Sequence, residues 1–282
     1  MAVKLFTDSS CDLPMEVIKS NKIIVVPLRI TFDNESYLDR VNLEVSEFYQ
    51  KMREHEELPK TAAPSPHDYL EILEQELGPQ DEGIIITLSS QLSSTLQSAK
   101  MAIEMYKEKY SNAKVVALDS KNASVGLGLI MIQAAKLRDN GLAFAEIVKK
   151  IRDVIDKTHT LILLDSLENT IKGGRLDKVR GKVATILSIK VLMKNSFQGS
   201  IDIIDKVRGS NKAVSRLLDF IGMYGENLEE KFLAIAHSEC EEKAIKLKKM
   251  IEERYKTAKI IITEIGPTVG TYAGEGGILI SF

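Results

Sequence analysis

A run of hydroxyl side chains between two regular elements is the first feature of the sequence that could do chemistry. Apolar β-branched residues predict a buried strand over 83–87, and the apolar spacing over 99–110 is typical of a helix. A helix N-terminus attracts anions through its unpaired N–H groups and its dipole, and hydroxyls add neutral donors. One serine would serve as an ordinary helix cap. Five hydroxyls in seven positions exceed that need, and they predict a site for a small oxyanion: Ser89, Ser90, Ser93, Ser94 and Thr95.

The patterns of several enzyme classes are absent from the sequence. There is no G-x-S-x-G motif, the nucleophile elbow of acyl-transfer hydrolases, and none of the four histidines lies in a recognisable catalytic-triad motif. Neither a P-loop nor a kinase motif set occurs. No His, Cys or carboxylate cluster has metal-ligand spacing, and Cys11 and Cys240 fit no zinc or redox motif. We therefore predict binding rather than catalysis, with no catalytic residue, no metal and no cofactor.

Composition narrows the class of protein further. The 282 residues are 44% apolar and 28% charged, as in a soluble globular protein. The net charge of −2 creates no overall field for nucleic acid, which we do not expect as a partner. The sequence has no 18-residue apolar run, and residues 1–4 lead directly into a predicted strand. These features predict no spanning helix and no signal peptide, and hence a cytoplasmic location.

The order of the predicted elements indicates an α/β fold with two domains. Over residues 1–160, strands alternate with helices of 10–15 residues, which favours a mostly parallel sheet with helices on both faces. From Lys172 the composition changes, and residues 197–200 look like a hairpin turn, which implies antiparallel pairing. We predict a second α/β domain with a mixed sheet over 161–282. Gly126 and Gly128 interrupt an apolar helix, as close-packing points or as room for a ligand chain.

Three predicted strands run into an Asp-Ser pair, at Asp8, Asp119 and Asp165. Ligands of open α/β sheets lie outside the carboxyl ends of the strands, so these pairs fit a ligand site. Asp and Ser are equally good helix caps, and the sequence does not separate the two interpretations.

Short motifs along essentially the whole chain resemble those of the DegV family, bacterial proteins that bind fatty acids. Residues 88–99 resemble the family's LSSxxSGTxQSA stretch. The other family motifs follow in order: Thr7-Asp8-Ser9-Ser10 with Pro14, Thr61 before Pro64-Ser65-Pro66, Glu168-Asn169 before Gly173-Gly174-Arg175, Lys206-Val207-Arg208-Gly209, and Gly266-Pro267 through Gly270-Thr271. Any one motif is weak, but five in the right order are specific.

The resemblance implies a buried long-chain fatty acid of the palmitate or oleate kind. Its carboxyl group would be held by Ser93, Thr61 and the backbone N–H of Ser94, with Thr271 and Tyr272 completing the carboxylate site. It also implies that a separate fatty acid kinase converts the bound acid to an acyl phosphate for phospholipid synthesis. The chain itself would then be a carrier and not an enzyme, with peripheral membrane contact for lipid exchange.

The sequence departs from the family pattern mainly around the predicted head-group site. Ser94 replaces a glycine, Ala62 and Ala63 replace Ser-Gln, Tyr272 stands where a histidine is usual, and Glu275 replaces a proline. These changes affect the expected contacts to the carboxyl group more than the fold.

A basic segment over 172–182 and two arginines within family motifs suit docking to the kinase. We expect the side chains of Arg175 and Arg208 at the surface rather than in the acyl cavity, with a merely solvated charged face as the alternative. A second hypothesis is a binding protein or enzyme for a phosphorylated small molecule, since Gly266–Gly277 and the serine-rich turn could both cradle phosphate. A third is an interaction scaffold without a ligand. A phosphate site needs no long apolar cavity, which separates it from a lipid site.

Overall fold

Three β-sheets form the framework of the computed structural model, which describes residues 2–78, 80–176, 189–257 and 259–282. The strands of the described residues are β1 (Val3–Asp8), β2 (Ile23–Val26), β3 (Arg29–Phe32), β4 (Glu35–Leu38), β5 (Lys60–Ala62), β6 (Glu82–Thr87), β7 (Lys114–Asp119), β8 (Thr160–Leu163), β9 (Ile189–Asn195), β10 (Ile201–Arg208), β11 (Phe232–His237), β12 (Lys259–Glu264) and β13 (Ile278–Ser281). Helices connect most of them: α1 (Met15–Ser20), α2 (Val45–Glu54), α3 (Pro66–Glu76), α4 (Thr95–Lys109), α5 (Val125–Asp139), α6 (Phe144–Lys157), α7 (Glu168–Lys172), α8 (Ser210–Tyr224), α9 (Glu241–Arg254) and α10 (Pro267–Ala273).

The two larger sheets confirm the predicted α/β class and differ as expected in strand direction. The first has the order β2-β1-β6-β7 and is parallel throughout. The second has the order β10-β9-β8-β13-β11-β12 and is mixed: β11 and β12 pair in parallel, and the other neighbouring strands that the structure describes pair antiparallel. The hairpin predicted at 197–200 joins β9 to β10. The strands of the first sheet end at Asp119 and those of the second begin at Thr160; a domain boundary near residue 160 stays a prediction.

Helix α5 contributes side chains to the cores of both sheets, which explains why its sequence is almost continuously apolar. Leu127 and Ile130 belong to the core of the first sheet, whereas Val125 and Leu129 pack with side chains of the second. The close-packing interpretation of the helix glycines is confirmed. A Cβ on Gly126 would lie 2.4 Å from the Thr160 hydroxyl oxygen, so the helix needs a residue without a side chain there.

Some elements differ from their prediction for local reasons. The apolar β-branched run 23–32 is divided at Pro27, which the sequence marks as an irregular position, into β2 of the first sheet and β3 of a third sheet, β4-β3-β5. The glycine-rich segment after residue 266 forms the helix α10, with Pro267 in its first turn, where a missing N–H costs nothing. Helix α4 begins at Thr95, before the predicted start at residue 99. Across the described residues, no helix is both long enough and apolar enough to cross a membrane.

Candidate ligand-binding site

An apolar cavity lies between the turn after β6, helix α10 and strands β8, β9 and β13. It encloses about 740 Å³ not occupied by protein atoms, including the part open to solvent. The accessible atoms of its wall are almost all apolar. Aliphatic side chains from four elements and two loops supply this surface: Leu88, Leu92, Ile162, Leu164, Ile201, Val269 and Leu279.

One end of the cavity carries a cluster of polar groups around Tyr272. The Thr61 hydroxyl lies 2.5 Å from the Tyr272 phenol oxygen. Thr61 is positioned by strand β5, whose register pairs it with Ile30 of β3. The hydroxyl of Thr170 donates to the Tyr272 carbonyl oxygen at 2.8 Å, which holds α10 to the end of α7. Thr61 and Tyr272, predicted from distant motifs, are therefore neighbours.

The hydroxyl groups of the serine-rich turn, residues 88–95, differ in whether they are hydrogen-bonded to other parts of the protein. The buried Ser89 hydroxyl donates to the Gly199 carbonyl oxygen at 2.7 Å, and Ser90 binds the Asp119 carboxylate. Both are therefore engaged within the protein. The hydroxyls of Ser93 and Thr95 contact each other at 2.8 Å at the start of α4, and the Ser93 oxygen also accepts from the Thr95 backbone N–H at 3.4 Å. Because a hydroxyl can rotate, this pair can redirect a donor to a ligand.

The predicted head-group residues of this turn lie beside the cavity rather than in its wall. Leu92 lines the cavity, and the half-buried Ser93 and the exposed Ser94 follow it in the chain. Ser94 has φ −81° and ψ 5°, a conformation open to any residue, so its replacement of glycine introduces no strain. The roles of Ser93 and Ser94 stay predictions.

Thr271 needs a correction to its expected place. It is fully buried, does not line the cavity, and donates its hydroxyl to the Pro267 carbonyl oxygen at 2.9 Å within α10. Its single O–H donor is therefore used within the helix. On this geometry Thr271 supports α10, and its neighbour Tyr272 faces the cavity.

Arg175 does not lie at the surface as expected. It is half-buried, lines the cavity, and places its guanidinium 4.4 Å from the ring centroid of Tyr272. Its Nε donates to the Leu92 carbonyl oxygen at 3.3 Å, so it joins the serine-rich turn to α10. A Cβ on Gly173 would lie 2.4 Å from the Tyr272 ring, which leaves only glycine at that contact. A positive charge thus lies beside the hydroxyl cluster, by which we mean the hydroxyls of Thr61 and Tyr272.

Arg208 has the exposed position that was predicted, at the end of β10, and it does not line the cavity. Of the basic segment 172–182, residues 177–182 lie outside the described residues. Within the remainder, Lys172 is exposed and pairs with Glu168 at 2.7 Å, one turn earlier in α7. The docking roles of Arg175, Arg208 and this segment are untested predictions.

The Asp-Ser pairs act mainly as structural supports. Asp8 is fully buried and accepts a hydrogen bond from the Leu88 backbone N–H at 2.7 Å, which fixes the start of the serine-rich turn. Burial raises the pKa of Asp8 to about 6, against the effect of the hydrogen bonds that it accepts. Asp119 accepts from Ser90, and Asp165 pairs with Lys190 at 2.7 Å in the second sheet. None of these three carboxylates lines the cavity.

A buried charge network supports α10 from behind the cavity. Asp39 is 1% exposed and accepts from the hydroxyls of Ser9 and Thr268, of which Thr268 lines the cavity. Asp12 accepts from the Gly266 N–H at 2.9 Å and pairs with Arg40 at 3.1 Å. Burial raises the pKa of both aspartates, that of Asp12 to about 6. These bonds fix the first turn of α10 against the first sheet.

The apolar wall residues were not identified from the sequence. Each belongs to an ordinary apolar run, and only the packing of β8, β10 and β13 against α10 brings them together. Gly126 and Gly128 do not line the cavity, so the alternative of room for a ligand chain is wrong for α5. No group of His, Cys, Asp or Glu among the described residues could hold a metal ion. The geometry suits an apolar chain that ends in a small polar group.

Comparisons with known proteins agree with this chemistry. A family model described as "Uncharacterised protein, DegV family" matches residues 2–282. A DegV domain-containing protein of Caldanaerobacter subterraneus is 31% identical over 272 residues, which cover 96% of this chain and 95% of that protein.

Two solved structures also match the whole chain. One is a DegV family protein from Ruminococcus gnavus with vaccenic acid, with TM-score 0.93, 30% identity and all of both chains covered. The other is the Fatty Acid Kinase (Fak) B3 protein of Streptococcus pneumoniae loaded with linoleic acid, with TM-score 0.89 and 28% identity, covering 100% of this chain and 99% of that chain.

Proposed function

The chain belongs to the DegV family, and from this membership we propose that it binds a long-chain fatty acid in the cavity beside Tyr272. The carboxyl group lies at the end formed by Thr61, Ser93 and Tyr272, with the Ser94 N–H as a further donor. The acyl chain lies along the apolar wall of β8, β10 and β13.

The observation that carries the proposal is an apolar cavity that ends in a hydroxyl cluster next to one arginine. Each buried methylene contributes about 0.8 kcal/mol, so a chain of about 14 gives roughly 11 kcal/mol before the costs of binding. Each hydrogen bond to the carboxylate contributes about 1.5–3 kcal/mol. The acyl chain therefore supplies most of the affinity, and the polar end supplies its orientation. A phosphorylated small molecule would leave most of this wall without a partner.

The second part of the proposal concerns what happens to the bound acid. The carboxyl group is presented to a separate fatty acid kinase, which forms the acyl phosphate used in phospholipid synthesis. The similarity to a fatty acid kinase B protein supports this step. The position of the hydroxyl cluster supports it too, because Ser94 beside it is exposed and a partner could approach from there.

Lipid extraction tests the first part directly. Protein purified from a bacterial host is denatured, extracted and analysed by mass spectrometry. We expect nearly one long-chain fatty acid per chain. A clean extract, together with no uptake of added oleate or palmitate, would contradict the proposal.

A further inference from the structure

Among the described residues that line the cavity, three polar side chains lie at the end away from Tyr272: Asn122, Thr160 and Asn195. Strand β8 separates the two ends. Thr160 is its first residue, and Leu164 directly follows its last. Leu164 and Ala273 both lie against Gly277, so Leu164 lies near Ala273, the residue that follows Tyr272 in α10. Four residues of strand span about 13 Å. We call Asn122, Thr160 and Asn195 the end wall.

Each polar group of the end wall is already hydrogen-bonded within the protein. The Thr160 hydroxyl contacts Asn122 Oδ1 at 2.7 Å and the Ser281 hydroxyl at 2.8 Å. Asn195 Oδ1 accepts from the Thr160 backbone N–H at 2.8 Å, and its Nδ2 donates to the Thr158 carbonyl oxygen at 3.2 Å. The Thr160 hydroxyl and the two amide oxygens of the end wall are therefore occupied by partners within the protein.

The same bonds make the end wall resistant to displacement. Thr160 is 3% exposed and Asn122 is 1% exposed, so moving either would leave buried donors or acceptors without partners. The turn between β9 and β10 packs over this end, held by the bond from Ser89 to Gly199. Among the described residues, those that line the cavity include no methionine, the side chain that adapts most easily.

We propose that the end wall sets the longest acyl chain that this protein accepts. The inference rests on the proposed function, which places the carboxyl group at Tyr272 and hence the terminal methyl group at Thr160. Each methylene that fits inside the cavity raises affinity about fourfold. The first methylene beyond the limit gains nothing, because the hydrogen-bonded wall does not retract. Affinity then stops rising, or falls, at one chain length.

Two substitutions at this end change the limit in opposite directions. Thr160→Ser removes one methyl group and keeps the hydroxyl for Asn122 and Ser281, so it deepens the cavity without breaking the network. Ala123→Leu adds atoms at the same end, since Ala123 lines the cavity next to Asn122. Ala273→Val is the matched control, because Ala273 lines the cavity next to Tyr272.

The experiment is competition among laurate, myristate, palmitate, stearate and arachidate for delipidated protein, with bound acids quantified by mass spectrometry. We expect Thr160→Ser to move the preferred acid to a longer chain and Ala123→Leu to move it to a shorter one. Ala273→Val should lower uptake of all five acids by a similar factor.

If Thr160→Ser and Ala123→Leu both bind lipid with the chain-length preference of wild type, the end wall does not set the longest accepted acyl chain, and the proposal is overturned. Failure of the wild type to take up any of the acids would instead overturn the proposed function. Thermal melting checks the fold of each variant. If Ala123→Leu does not fold, Thr160→Ser carries the test, because it adds no atoms.

Discussion

The hydroxyl of Thr61 lies 2.5 Å from the phenol oxygen of Tyr272, a residue 211 positions later in the chain. The contact joins β5 of the smallest sheet to α10 of the second half. A carboxylate placed beside these two hydroxyls can accept a hydrogen bond from each after rotation of the O–H groups. The pair thus replaces the histidine that is usual at position 272 with a neutral donor.

The first prediction concerns this pair. Tyr272→Phe and Thr61→Val each remove one donor to the bound carboxylate. Either change should weaken oleate binding by roughly 10- to 150-fold, the equivalent of about 1.5–3 kcal/mol. Because the two hydroxyls contact each other, the double variant should lose less than the product of the single losses. Isothermal titration calorimetry of oleate binding to wild type, the two single variants and the double variant completes this double-mutant cycle. Strictly additive losses of binding free energy would show that the hydroxyls act independently.

The second prediction separates the available serine from a structural one. Ser93→Ala should reduce fatty-acid affinity by roughly 10- to 150-fold with little change in melting temperature. Ser90→Ala is the control: its hydroxyl binds Asp119, so its loss should not alter affinity. Equal affinity of wild type and Ser93→Ala, with a defect in Ser90→Ala, would move the head-group site by one turn.

The third prediction distinguishes the two arginines, since only Arg175 lines the cavity. Arg175→Ala should reduce the amount of bound lipid because a cation beside the carboxylate is lost. Arg208→Ala should leave bound lipid unchanged and slow acyl-phosphate formation by the kinase. Rim charges act mainly on association rate, so this defect should shrink as salt rises.

Lys109→Ala is the control for the arginines, since Lys109 is exposed and ends α4, far from the helix start beside the cavity. Kinase assays at low and high salt, on protein loaded with the same lipid, give the comparison. Slower phosphorylation in Lys109→Ala to the same degree as in Arg208→Ala would remove the case for a specific docking contact.

The fourth prediction uses the buried carboxylate behind the serine-rich turn. The folded-state pKa of Asp8 is raised to about 6 by burial, so the native state holds its proton to a higher pH than the unfolded chain. The stability from this group is therefore present at about pH 4 and is lost as pH rises through about 6. Relative to Asp8→Asn, wild type should lose up to about 3 kcal/mol of unfolding free energy over that interval. Urea unfolding at several pH values measures the difference, and a difference that is independent of pH would contradict it.

The sequence by itself determined the class of the fold and most of its elements. Alternation of apolar strands with amphipathic helices is a local property, because a strand or helix must bury one face whatever its neighbours are. The parallel first sheet, the hairpin at 197–200 and the close packing at Gly126 all follow from such local patterns. The motifs around Thr61, Ser93 and Tyr272 also predict a polar head-group site, and that role stays a prediction for all three residues.

Only the tertiary structure decided which of these residues meet. Leu92, Ile162 and Val269 form one wall because three strands and a helix pack together, and no spacing along the chain encodes that meeting. Pro27 sends one apolar run into two sheets, and Arg175 turns inward to lie on Tyr272 although its sequence surroundings are polar. Thr271 and Tyr272 are adjacent in sequence, yet the helix directs one into its own backbone and the other to the cavity. The physical reason is that burial and hydrogen bonding between distant segments select the partner of each side chain, and a local pattern does not contain that information.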